Sequence, residues 1–374
     1  GNLTYRQLDP SRDLHLPLVL LTMGKKEVSL EVNGSHDDNA KITKPKVTFS
    51  QKIGALCFLV VQIVVTVTVM RYSRISSKGK PYISSTVVVL SELLKVAGAS
   101  MLVARDAGGF DGAKRQIYRE VFVKRSETLK MMVPATLYAI QNNLLFVALS
   151  HLDSAVYQIT YQIKTITTAM FAVLILRKDI TKMQWFAIVL LAIGVAVVQL
   201  GVHSKSAHVK VEDSGEELRP QQNPAVGILA ILAACFSSGF AGIYFEKVLK
   251  QTKQSVWIRN IQLGMFGFVA SAITMLLKDG TELREYGFFH GYNGVVMTVV
   301  GLQASTGLIV AMVVKYTDNI IKAFASALAI IGASLASVFI FSFEADTNFA
   351  FGAILVVIAT YTYGTRGRKP PRKA

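Results

Sequence analysis

The sequence predicts an all-α membrane protein of ten transmembrane helices, arranged as two inverted five-helix repeats. Three observations carry that expectation. The 374 residues are 52% hydrophobic and only 17% charged, with a mean hydropathy of +0.42, whereas soluble domains are about 25% charged. Ten apolar runs recur along the chain, each near the roughly 17 to 25 residues that a spanning helix requires. Five runs fall in each half, and an odd number forces the second half to enter the membrane upside down relative to the first.

The runs lie at roughly 52–70, 83–104, 129–150, 154–176, 183–202, 225–247, 257–277, 294–315, 319–342 and 347–364. They are apolar all round rather than alternating, so they read as helices and not as barrel strands. Residues 1–50 are polar, lack the apolar core of a signal peptide and are expected to be a disordered cytosolic tail. That tail holds sequons at Asn2 and Asn33, which a cytosolic location leaves unmodified, and MGKKEV from Met23 resembles a myristoylation start except for Val28. Residues 51–202 form the first half and 225–364 the second. Between them, 203–224, with Glu212, Asp213, Glu216 and Glu217, reads as a luminal linker loop, and 365–374 is a basic tail.

Lysine and arginine in the connections set the sidedness. The segments after the second, fourth, sixth and eighth spans, together with the C-terminal tail, carry 19 such residues, from Arg105 to Lys373. The alternate segments carry 9. The richer set and both termini are therefore expected in the cytosol. The net charge of +16 is spread over short loops and two tails, with no aromatic-interleaved basic patch, which excludes nucleic acid as a partner. Cys57 and Cys235 both fall in apolar stretches and form no disulfide or zinc pattern. No metal or cofactor is expected.

Polar residues inside the spans point to a binding site. Tyr157, Tyr161, Lys164 and Thr168 are spaced 4, 3 and 4, which puts them on one helical face. A lysine at the centre of a spanning helix costs about 2.5 to 3.5 kcal/mol and needs a partner. That partner is either an internal carboxylate such as Glu92 or an anionic ligand. Glu92 itself stands one turn from Lys95, so a simple pair within its helix is the alternative there. Lys322, one turn into the ninth span, can snorkel to the interface or face the same cavity. Two lysines from corresponding arms of an inverted repeat would repel each other unless an anion with about two charges lay between them, and a diphosphate fits. Tyr138, Gln141, Asn142 and Asn143 in the third span, and Asn260 beside Arg259 in the seventh, either bond between helices or contact a ligand's hydrogen-bonding edge.

The segments YAIQNNLLFVALSHLDSAVYQITYQIK, GFAGIYFEKVLK, VWIRNIQLG, GFFHGYN and VVKYTDNIIKAF together resemble the Golgi nucleotide-sugar transporters, in the branch of UDP-N-acetylglucosamine, UDP-galactose and CMP-sialic acid carriers. The resemblance covers about residues 52–364. It implies a drug/metabolite transporter fold in the Golgi membrane, exchanging a cytosolic nucleotide sugar for the luminal nucleoside monophosphate by alternating access. It further implies that Lys164, Lys322 and Tyr157 contact phosphate, that Gln141, Asn142 and Asn260 contact the nucleoside, and that Glu92 lies on the sugar side. Tyr138 and Tyr161 complete the expected site. Gly264, where CMP-sialic acid carriers have tyrosine, and Gln303 in GLQAST resemble the UDP-sugar members, so UDP-galactose, UDP-N-acetylglucosamine or both are expected, with UMP as the exchanged product. Thr306 and Ala323 depart from the usual glycines. A CMP-sialic acid/CMP antiporter and a non-transporting regulator of the same fold are the alternatives; homo-oligomerisation is left open. An enzyme is not expected: the chain has no Asp-x-Asp, no phosphate loop and no histidine pair at metal spacing.

Overall fold

The structure is a computed structural model that describes residues 49–75, 82–208, 223–252, 254–341 and 346–365. The N-terminal tail, the acidic stretch of the linker and the basic C-terminal tail lie outside the described residues. Among those described, ten helices are long and apolar enough to cross a membrane, and no strand occurs.

The first two spans are α1 (Phe49–Ile75) and α2 (Ser84–Asp106). A short helix, α3 (Phe110–Ile117), runs into one π-helical turn (Tyr118–Val123) before the third span, α4 (Arg125–His151). The fourth span is two pieces, α5 (Ser154–Tyr161) and α6 (Ile163–Leu176), and the fifth is α7 (Lys182–His208). The second half comprises α8 (Pro224–Gln251), α9 (Val256–Tyr286), α10 (Gly294–Tyr316), α11 (Asn319–Phe341) and α12 (Thr347–Thr365).

Local chemistry explains where several of these helices begin. The Asn223 side chain accepts from the Ala225 and Val226 amides, and Pro224 occupies the first helical position of α8. Ser255 and Asn293 cap α9 and α10 in the same way. Each cap satisfies amides that a helix start leaves without partners. At the other end of α6, Arg177 adopts the left-handed conformation (φ 50°) and stops the helix.

Three features depart from the expected spans. Helix α7 continues to His208, beyond position 202 where the linker was placed, because no proline interrupts the backbone there. Helix α9 runs on to Tyr286 instead of ending near 277, and it bends at Asp279 (φ −111°, ψ 15°). The segment 110–123, expected as a loop, is helical: Phe110, Tyr118 and Phe122 are exposed beside Lys114, Arg115 and Arg119. Such a strip of aromatic and basic residues suits the membrane interface.

The packing respects an exchange of the two halves. Helix α7 packs against α12, and α2 against α9; each pair maps onto itself when the halves are swapped. The contacts of α4 with α8 and α9 map onto those of α10 with α1 and α2, and α6 with α8 maps onto α11 with α1. At the α7–α12 crossing, Gly194 and Gly352 let the backbones meet: a Cβ on Gly352 would lie 2.6 Å from the Val198 nitrogen. Small residues are the usual means of close approach in lipid, where no hydrophobic drive separates helix from tail.

Candidate functional site

A cavity of about 780 Å³ lies between the halves. Helices α2, α4, α5, α8, α9, α10 and α11 line it, with Arg74 of α1 at its rim; among the described residues no side chain of α7 or α12 lines it. Its mouth carries Arg74, Ser84, Lys278, Asp279 and Glu282, all at the end expected in the lumen, and its floor carries Asn260, Val314 and Asn319. The eighteen residues of α9 between Asn260 and Lys278 rise about 27 Å, close to the roughly 30 Å of a hydrocarbon core.

The break at Gln162 shapes the deep wall. The Gln162 amide bonds back to the Ile159 carbonyl (3.1 Å) and Thr165 bonds to the Gln162 carbonyl (3.0 Å), a tighter turn than an α-helix. The Gln162 side chain donates to Gln199 of α7 (2.8 Å), which pins the break two residues before Lys164. The Lys164 ammonium sits 4.0 Å from the Tyr161 ring centroid, and Tyr161 stacks on Tyr157, which faces the cavity. Lys322 lines the cavity directly and feels Lys164 as a repulsion. Among the described residues neither lysine has a carboxylate within ion-pair distance.

Of the residues expected at the site, Glu92, Tyr138, Asn142, Tyr157, Asn260 and Lys322 are on the wall. Lys164, Tyr161 and Gln141 stand just outside it, linked to it through Tyr157: the Gln141 amide donates to the Tyr161 hydroxyl (3.3 Å) while its own oxygen lacks a partner. Gly264 and Gln303 are not brought to the wall. Gly264 sits at the α2–α9 crossing, where an added Cβ would be 2.6 Å from Val96 Cγ2, so its role is close packing. Gln303 accepts a long bond (3.5 Å) from Ser91 of α2.

Glu92 pairs with Lys95 at 2.5 Å, the in-helix alternative, and both face the cavity. Glycines make room for the pair. A Cβ on Gly267 would lie 2.7 Å from Glu92 Oε2, and one on Gly307 would lie 2.8 Å from Lys95 Cδ. Sequence reasoning missed Lys95 as a wall residue, along with Asn319 and the charged mouth. The available signal was the adjacency of Asn319 to the polar segment already singled out around Lys322.

The floor is sealed by polar ties. Asn319 gives its amide to Glu246 Oε2 (2.9 Å) and its side chain to the Gly242 carbonyl (2.5 Å), while Lys250 bonds Glu246 (2.6 Å) and the Thr317 carbonyl (2.5 Å). Arg259, wholly buried, reaches Glu127 Oε2 (2.6 Å), the Glu127 carbonyl (2.8 Å) and Gln262 (2.9 Å). Lys178 pairs with Asp318 (2.5 Å), whose other oxygen caps α11 at the Ile321 amide. Burial disfavours the Lys178 charge, but the Asp318 carboxylate outweighs it and holds the ammonium above its ordinary range.

A sequence model of the family described as "Nucleotide-sugar transporter" matches residues 47–364. The chain is 47% identical over 315 residues to the UDP-N-acetylglucosamine transporter of Bos taurus, covering 83% of this chain and 94% of that one. It is 44% identical over 333 residues to a UDP-N-acetylglucosamine/UDP-N-acetylgalactosamine transporter of Caenorhabditis elegans, covering 86% and 96%. The UDP-galactose translocator of Bos taurus is 42% identical over 311 residues, covering 83% and 76%. A solved crystal structure superposes with a TM-score of 0.57 over 83% of this chain and 96% of the other at 11% identity, a likeness of fold alone.

Proposed function

The chain belongs to the nucleotide-sugar transporter family, and on that premise we propose that it carries a UDP-sugar from cytosol to Golgi lumen in exchange for UMP, by alternating access. The relatives above are named as UDP-sugar transporters, which supports transport of a UDP-sugar rather than an enzymatic reaction. UDP-N-acetylglucosamine and UDP-galactose are the substrates proposed.

One feature carries the mechanism: Lys164 and Lys322 come from corresponding spans of the two halves and repel each other, and among the described residues neither has a carboxylate within ion-pair distance, Glu246 acting on Lys322 only from farther away. Like charges in a low-dielectric site favour an anion that neutralises both. The diphosphate takes that place. Tyr157 flanks it, Asn142, Asn260 and Tyr138 face the nucleoside, and the Glu92–Lys95 pair faces the sugar. Gln141 and Tyr161 act from behind, by fixing Tyr157 and Lys164. Gly264 and Gln303 act through the α2 packing that holds Glu92 and Lys95 in place. Both termini lie in the cytosol in this reading.

The test is counterflow into proteoliposomes holding the purified chain. Vesicles loaded with UMP should accumulate labelled UDP-N-acetylglucosamine or UDP-galactose, and vesicles loaded with CMP should accumulate neither. Accumulation of labelled CMP-sialic acid under CMP loading, without UDP-sugar uptake, would overturn the assignment.

A further inference from the structure

A second pocket, of about 630 Å³, opens at the end of the bundle opposite the cavity mouth. Gln116 of α3, Arg119, Glu120 and Lys124 of the connection, and Glu127 and Lys130 at the start of α4 face Gln254 of the α8–α9 turn across it. Its place follows from the exchange of halves. The cavity mouth lies between the α1–α2 junction and the end of α9; swapping the halves turns these into the α8–α9 turn and the end of α2 with its connection to α4, where this pocket sits.

Very little protein separates the two spaces. Ile258 lines the outer pocket and Asn260 lines the inner cavity, so they stand within one turn of α9, about 3 Å apart along its axis. Buried Arg259 lies between them, tied to Glu127 and Gln262, and its Nε has no partner. The outer pocket also offers unspent capacity. Arg119, Lys124 and Lys130 are 67%, 50% and 44% exposed although each touches a carboxylate, and the Gln254 Oε1 is buried without a donor. Exposed cations suit phosphate oxygens, and an orphaned acceptor suits a hydroxyl. The aromatic residues of the connection, Phe110, Tyr118 and Phe122, are exposed and do not line the pocket, whose lining is polar and charged apart from Ile258.

We propose that this outer pocket is a cytosolic docking site for the nucleotide sugar, where Arg119, Lys124 and Lys130 hold the diphosphate before the inner cavity opens to that side. The proposal rests on the function and sidedness given above. Docking also reaches a residue that touches the seal. Glu120 ties Lys124 (2.7 Å), Arg119 (3.2 Å) and Gln254 (2.8 Å) together, and its backbone carbonyl accepts from Gln262 (3.1 Å). A phosphate that takes Lys124 and Arg119 from Glu120 leaves its carboxylate held by Gln254, while the Gln262 bond to its carbonyl is untouched.

The experiment pairs two readouts on the full chain. In proteoliposomes of established orientation, Arg119→Gln with Lys124→Gln should raise the KM for UDP-N-acetylglucosamine about threefold to tenfold at the cytosolic face, the lower part of the range for electrostatic capture. The luminal KM for UMP should not move. In detergent, inorganic pyrophosphate and UDP-N-acetylglucosamine should each protect Lys124 from amine acylation, read by mass spectrometry, and should still do so in Lys322→Ala, where the inner site is weakened. An unchanged cytosolic KM, an equal rise at both faces, or no protection of Lys124 would overturn the docking site. Protection by pyrophosphate in a protein that exchanges no UDP-sugar would uphold an anion site and instead sink the proposed function.

Discussion

Replacing Lys322 with alanine tests the charge logic at its strongest point. The ammonium lines the cavity, has no ion-pair partner among the described residues and is repelled by Lys164. A unit charge pair at 4 Å is worth about 4 kcal/mol at an effective dielectric of 20. Desolvation removes part of that, leaving about 2 to 3 kcal/mol, which is a roughly 30- to 150-fold loss of UMP affinity. Uridine has no phosphate and should bind the variant as it binds the parent chain. Folding gives a second control: one of two repelling cations is gone, so the melting temperature of the unliganded variant should not fall. Calorimetric titration of UMP, competition by uridine and thermal unfolding in detergent measure all three. Equal weakening of UMP and uridine would refute the reasoning, because the lysine would then shape the cavity instead of meeting a charge.

Three further outcomes follow from particular contacts. Gly267→Ala should cost less than about 1 kcal/mol, because its Cβ would meet only the carboxylate end of Glu92 (Oε2 at 2.7 Å), which can swing aside; a large fall in the thermal midpoint would show that the Glu92–Lys95 pair is locked in place. Arg259→Met should cost about 1 to 3 kcal/mol, because the Glu127 carbonyl and Gln262 Oε1 lose their buried donor while the Glu127 carboxylate keeps Lys130, and a neutral effect in chemical or thermal unfolding would remove Arg259 from the seal. Although burial works against its charge, hydrogen bonds from Lys124 and Gln254 hold the Glu120 carboxyl below its ordinary value of 4.5. Its contribution is therefore present above pH 4.5 and is lost as pH falls through the lowered value. Glu120→Gln should flatten the acid side of the stability profile, and parallel profiles for both proteins would contradict it.

The ten spans were legible because each helix is apolar enough to announce itself within a single window, and the inverted arrangement followed from counting. The break at Gln162 was not legible, since YQITYQIKTIT holds neither proline nor glycine; the turn is set by the bond from Gln162 to Gln199, 37 residues away. The helical connection 110–123 was hidden by its charge, which reads as a loop when periodicity is judged by hydropathy alone. Lys164 and Lys322 stood out because a lysine in a span is costly wherever it points. Gly264 and Gln303 were drawn to the site by resemblance, and a glycine's sequence context cannot tell a wall from a crossing. Lys95 was visible only as a partner for Glu92, because the slot that turns it inward is made by Gly267 and Gly307 on two other helices.

The exchange of halves holds for the extensive helix pairs and fails at several smaller contacts, one of which bears on mechanism. Helices α8 and α11 meet at the floor through Asn319, Gly242, Glu246 and Lys250. The exchange maps this contact onto α1 and α5, which make no comparable one among the described residues. The missing contact belongs to the end where the cavity is open. Reversal therefore requires the Asn319–Glu246 tie to break while α1 closes on α5, with the paired crossings α2–α9 and α7–α12 kept. The two states differ by few bonds, so the barrier between them is set by what must be enclosed midway. Without ligand, that is the Lys322 ammonium in a space closed at both ends, with Lys164 just behind the wall and no ion-pair partner for either among the described residues. Each buried ion without a partner costs several kcal/mol, and about 4 kcal/mol slows a step roughly a thousandfold. A phosphate between the lysines removes most of that penalty for either nucleotide, in either direction. In the proposed exchange of UDP-sugar for UMP, Lys322 in the wall and Lys164 just behind it would supply the coupling.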